Sequence, residues 1–120
     1  MAHGMGERFN VAHFYIDGTT AADLSWAAEY DCPIRIVWIK ASAANDSSAT
    51  LAVDAEGGTS IVSATAIGDT YSAADMTLAS NAAAQVSADT YIKFTLDYDG
   101  SSGTAAQNVT VCMGFMIGEG

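Results

Sequence analysis

A chain of 120 residues supports one packed domain, and a formal charge of −10 makes it a poor ligand for a phosphate backbone. Only Arg8, Arg35, Lys40 and Lys93 stand against fourteen acids, which argues against nucleic acid and anionic membrane surfaces as partners. Half of the residues are hydrophobic, so the chain can fold, but many are alanine, and such small side chains suit thin, closely spaced sheets better than a deep catalytic cleft.

Residues 1–8 are polar, contain glycine and show no period, so we expect a flexible N-terminal arm, with the domain spanning 9–120. From Phe9 onward, Phe9, Val11, His13 and Tyr15 share one parity, and Asn10, Ala12, Phe14 and Ile16 the other. This is a strand, which Asp17-Gly18-Thr19-Thr20 is expected to end by turn chemistry. His13 lies on an otherwise aromatic face and is expected to be packed there rather than to act as ligand or base. Between Ala21 and Tyr30, Leu24, Trp26 and Ala28 alternate with Asp23, Ser25 and Ala27, favouring a strand over a helix. Asp31-Cys32-Pro33 breaks it.

Ile34 to Ala43 has the strongest strand propensity, and its middle is apolar on both parities. Such a strand needs cover on two faces, from a second layer or from a neighbouring subunit. The end of the last apolar run, Val111 to Ile117, has the same property. Ile34, Ile36, Val37, Trp38, Ile39, Cys112, Met113, Phe115 and Met116 are therefore the candidate residues of a contact with another chain. A strand that is simply central in a sandwich is the competing explanation.

Ala49 to Ala55 and Ser60 to Ile67 flank Glu56-Gly57-Gly58-Thr59 and read as a hairpin. Tyr71 to Val86 is weakly patterned, anchored by Met76 and Leu78, with a short helical turn possible near Asn81 to Gln85. Thr90 to Tyr98 and Gln107 to Ile117 alternate with period two around Asp99-Gly100-Ser101-Ser102-Gly103-Thr104, and they too read as an antiparallel hairpin. About seven or eight short strands with polar turns predict an all-β protein: a single-domain antiparallel β-sandwich, jelly-roll-like.

Chemical motifs are missing. The sequence holds no phosphate-binding loop, no dinucleotide fingerprint, no nucleophile elbow and no HExxH pair. His3 and His13 lie far from Cys32 and Cys112, so no zinc spacing exists, and the two cysteines read as partly buried thiols. Asp97 and Asp99 share a strand parity and offer a calcium cradle, but they also fit a solvated turn. Trp26, Trp38, Tyr15, Tyr30, Tyr71, Tyr91 and Tyr98 include candidates for a sugar-stacking platform, although strand aromatics usually pack inward. We expect no enzyme activity and no cofactor. The N-terminus lacks an apolar signal core and no run has the length of a membrane span, so synthesis in the cytoplasm is expected.

Several stretches carry a family resemblance: Pro33-Ile34-Arg35-Ile36-Val37-Trp38-Ile39-Lys40, Ala49-Thr50-Leu51-Ala52-Val53, the Gly57-Gly58 turn, and Val86-Ser87-Ala88-Asp89-Thr90-Tyr91-Ile92-Lys93-Phe94. The last is similar to a V-x-A-G-D-x-I opening of a late strand, without its glycine. Over residues 9 to 117 the chain resembles the capsid decoration (cement) and head-fibre structural proteins of tailed bacteriophages. That resemblance implies a non-enzymatic virion protein on the capsid surface. Its partner would be the major capsid protein, and it would be a homo-oligomer, a trimer being favoured. A carbohydrate- or receptor-binding β-sandwich is the alternative.

Overall fold

Alternating inward and outward side chains build two antiparallel sheets in the computed structural model, which describes residues 7–20, 24–68, 72–80, 82–97 and 104–118. Its strands are β1 (Glu7–Thr20), β2 (Leu24–Glu29), β3 (Ile34–Ser42), β4 (Thr50–Ala55), β5 (Ser60–Ala66), β6 (Ala74–Met76), β7 (Gln85–Val86), β8 (Tyr91–Asp97) and β9 (Ala106–Gly118). One sheet has the order β1-β9-β3-β6, with β7 also pairing β3, and the other has the order β2-β8-β4-β5. The pairing is nested. First pairs with last, β2 with β8, β3 with the broken strand β6/β7, and β4 with β5. Counting β6 and β7 as one interrupted strand, this is the eight-stranded winding of a jelly roll.

The core lies between the sheets. Ile36, Ile39 and Met113 from one sheet meet Leu51, Ile61, Ile92, Phe94 and Leu96 from the other, all fully buried. Full burial of each such side chain contributes about 1.5–3 kcal/mol. Phe94 is the aromatic centre of one end: it stacks on Trp26 (centroids 5.3 Å apart, planes 7° apart) and meets Phe14 at 4.9 Å. Tyr30 packs on Phe115 at 5.0 Å, and burial raises its phenol pKa above the ordinary value.

The hairpin expected between Ala49 and Ile67 is present as β4 and β5. Its Gly57 and Gly58 adopt φ of 94° and 97°, a region that suits residues without Cβ. The other expected hairpin is not. β8 pairs with β2 and β4, whereas β9 pairs with β1 and β3 in the opposite sheet. Alternation reports which face of a strand is buried, not which neighbour it bonds, so a chain crossing between sheets looks locally like a hairpin.

β1 also departs from expectation. It runs through Asp17 and Gly18 instead of ending there, because a bulge between Ile16 and Thr19 absorbs the extra backbone. Gly18 sits at φ 85° and donates its N–H to Asn108 Oδ1 at 2.9 Å, while Asn108 itself takes φ 50°. The strand starts before Phe9, with Glu7 and Arg8 opposite Gly118 and Ile117. Residues 1–6 of the expected arm lie outside the described residues.

Between β6 and β7, Ala84 N–H donates to the Ser80 carbonyl at 3.2 Å and Ala83 N–H to Ser80 Oγ at 3.0 Å. This single turn matches the helical turn expected there, and it splits the strand.

Candidate functional site

The nine candidate contact residues separate into two sets. Ile34, Ile36, Ile39, Met113 and Phe115 point into the sandwich and are buried by the chain itself. Val37, Trp38, Cys112 and Met116 are not buried, and they lie on the outer face of the β1-β9-β3 sheet. The doubly apolar appearance of β3 has a local cause. A bulge between Ile36 and Trp38 sets both Val37 and Trp38 against Gly114, so two consecutive residues leave the core before Ile39 returns to it.

Gly114 makes room for that arrangement. A Cβ built there would lie 2.4 Å from Trp38 Cε2 and 2.6 Å from its Nε1, so the indole rests against the bare backbone of β9. Phe9 meets Trp38 at 6.3 Å, and Lys40 Nζ stands 5.4 Å from the Trp38 ring centroid. Register completes the face. Phe9 lies opposite Met116 and Arg35 opposite the same residue from the other side. Val11 and Trp38 flank Gly114, and His13 and Lys40 flank Cys112. Lys40 also pairs with Asp75 of β6 at 3.8 Å.

The whole face is open. Phe9 is 51% exposed, Val11 39%, Tyr15 62% and Val37 40%. His13, expected to be packed, is exposed here too. The aromatic parity of β1 is the outer one, and Ala12, Phe14 and Ile16 pack on the core instead. Sequence reasoning missed Phe9, Val11 and Tyr15 as surface residues; the polar His13 on their parity was the available signal.

The other outer face differs in kind. Its register rows Ser25–Thr95–Ala52 and Ala27–Lys93–Asp54 are small or polar, and the row Glu29–Tyr91 adds one exposed aromatic. A recess of ≈ 560 Å³ there is lined by Trp26, Glu29, Tyr91 and Lys93 among others. A second recess, ≈ 410 Å³, opens between β1 and β2 beside His13, Tyr15, Leu24 and Trp26. In the first recess the Ser25 hydroxyl donates a hydrogen bond to Thr95 Oγ1 at 3.4 Å. Among the described residues, no three His, Cys, Asp or Glu side chains stand close enough to hold a metal.

Of the sugar-platform candidates, Trp26 is taken up by the Phe94 stack and Tyr30 by Phe115. Tyr71, Tyr98 and Asp99 of the calcium reading lie outside the described residues, while Asp97 is exposed. Cys32 and Cys112 are free, half-buried thiols, as expected. No helix is long and apolar enough to cross a membrane among the described residues.

The topology defines a jelly-roll sandwich whose one outer face is apolar. Among solved structures, a chain of the cyanophage Pam1 capsid asymmetric unit is similar to this one, with a TM-score of 0.60 and 13% identity. The match covers 98% of this chain and 90% of that chain, and at this identity it establishes the fold. No family model matches, and no curated protein does.

Proposed function

We propose that this chain is a non-enzymatic structural protein of a tailed-phage particle, bound to the outer surface of the capsid, which it stabilises or decorates. The observation that carries the reading is the correspondence, along nearly the whole length of both chains, with a component of a cyanophage capsid asymmetric unit. A match of 98% against 90% also makes the two chains similar in length. The strand-level resemblance to decoration proteins points the same way. The major capsid protein is the partner, and the chain acts as a homo-oligomer, with a trimer favoured.

The test is direct. Purified particles should contain the chain at a fixed copy number by quantitative mass spectrometry, in a multiple that matches the lattice. Particles stripped of it should melt earlier than intact ones. Absence from the particle would remove the reading. Presence with an unchanged capsid melting point would leave decoration and remove stabilisation.

A further inference from the structure

We infer that the recess over β2 and β8 is a binding site for a neutral saccharide, with a sugar ring lying on Tyr91 and its hydroxyls bridging Glu29 and Lys93. This goes beyond the capsid reading and does not depend on it. The recess follows from the register of the two strands. Glu29 lies opposite Tyr91 and Ala27 opposite Lys93. The short Ala27 leaves a low floor, and the longer Glu29, Tyr91 and Lys93 border it, which opens a volume of ≈ 560 Å³. Small-molecule sites occupy about 300–1,000 Å³.

Tyr91 is the fixed wall. It is 40% exposed, and none of the aromatic pairs among the described residues includes it. Its backbone is held from the side. Glu56 N–H donates to the Tyr91 carbonyl at 3.0 Å, and Tyr91 N–H donates to Glu56 Oε1 at 3.1 Å. Two residues earlier, Asp89 N–H donates to the Tyr30 carbonyl at 2.8 Å and ties the end of β2 to the start of β8. A ring already held in place offers contact area at little entropic cost.

Polarity selects the ligand. Glu29 accepts hydrogen bonds and Lys93 donates them, and neither takes part in an ion pair among the described residues. Their charges cancel within the recess. An anion would meet Glu29 and the net charge of −10, and a cation would meet Lys93. A wholly apolar ligand would strip water from both charges and return no hydrogen bond. A sugar ring has an apolar face for Tyr91 and hydroxyls that both donate and accept, so it satisfies all three groups.

The experiment probes an array of neutral and acidic glycans with the purified chain clustered on a multivalent carrier, because one open recess binds weakly. Wild type should retain neutral glycans in preference to acidic ones. Tyr91→Ala and Lys93→Ala should each lower retention by about 10-fold, with melting temperatures close to wild type. Tyr15→Ala removes the exposed aromatic of the other recess and should bind as wild type. Three results would overturn the assignment: no neutral glycan retained by wild type, a preference for acidic glycans, or full retention by both Tyr91→Ala and Lys93→Ala. Loss of retention in Tyr15→Ala alone would move the site to the recess between β1 and β2 and overturn it equally.

Discussion

Replacing Gly114 with alanine isolates the contact on which the apolar face depends. The added Cβ would meet Trp38 Cε2 at 2.4 Å, Nε1 at 2.6 Å and Cζ2 at 2.7 Å. Carbon atoms rest at about 3.5–4.0 Å, so the indole must retreat by roughly 1 Å or tilt off the sheet. Forced repacking of this size costs about 1–3 kcal/mol. Alanine returns roughly 0.5–1 kcal/mol, because glycine loses more chain entropy in a strand. Trp38 lies on an outer face and has room to tilt, which favours the lower part of the range. A net loss of about 1 kcal/mol is expected.

For a domain of this size that loss lowers the melting temperature by roughly 3–6 °C. Urea denaturation should show a lower midpoint at unchanged slope, and near-UV circular dichroism should report the displaced indole. The control is the same substitution in a Trp38→Leu background, where the obstruction is gone and alanine should be neutral or mildly stabilising. A Gly114→Ala protein as stable as wild type, with an unaltered tryptophan signal, would show that Trp38 does not rest on Gly114.

Three further outcomes are expected. Phe94→Ala empties the centre of the Trp26–Phe14 cluster and should cost about 3–5 kcal/mol in urea denaturation, a large share of the roughly 5–15 kcal/mol that holds such a domain together. Trp26 Nε1 is buried without a hydrogen-bond partner, so Trp26→Phe removes an unsatisfied donor while keeping an aromatic ring. It should stay within about 1 kcal/mol of wild type, and a loss as large as that of Phe94→Ala would mean that the indole N–H is satisfied. Tyr30 ionises at higher pH folded than unfolded. Above about pH 10 the unfolded state therefore holds fewer protons, and stability falls as pH rises. Melting temperatures across that range should drop more steeply for wild type than for Tyr30→Phe, and parallel profiles would refute the burial of the phenol.

Strand existence was legible in the sequence, and strand partners were not. The alternation of Ile92, Phe94 and Leu96 and of Val109, Val111 and Met113 correctly identifies buried faces. It carries nothing about β8 lying beside β2 and β4, because those pairings join residues remote in sequence. Where the pairing is local, as in β4 and β5, the turn glycines reveal it. The burial of the candidate contact residues was half legible for a related reason. Ile34 to Ile39 looks buried on both sides only if the period is unbroken. The bulge at Val37 and Trp38 breaks it, and the glycine that accommodates Trp38 stands on another strand, at Gly114. Neither position signals the other locally. Asp17-Gly18 misled in the opposite sense: turn residues served a bulge inside β1, secured by Asn108.

The asymmetry of the two outer faces is the strongest reason to look for a partner. An antiparallel sandwich is content with polar residues on both outer faces, and the sheet of β2, β8, β4 and β5 largely conforms, with Ser25, Thr95, Lys93 and Asp54 beside the one exposed aromatic Tyr91. The other sheet carries features that folding alone does not call for. Glycine inside a long strand weakens it, and Gly114 fills no turn. The bulge in β3 gives up ladder regularity to turn Val37 outward beside Trp38. Phe9 and Tyr15 remain more than half exposed on an edge strand, where apolar side chains invite aggregation. Each feature costs stability or solubility, and none improves the core. They are the features that the proposed binding to a capsid would use. Gly114 lets Trp38 lie flat, and the bulge puts Val37 level with it.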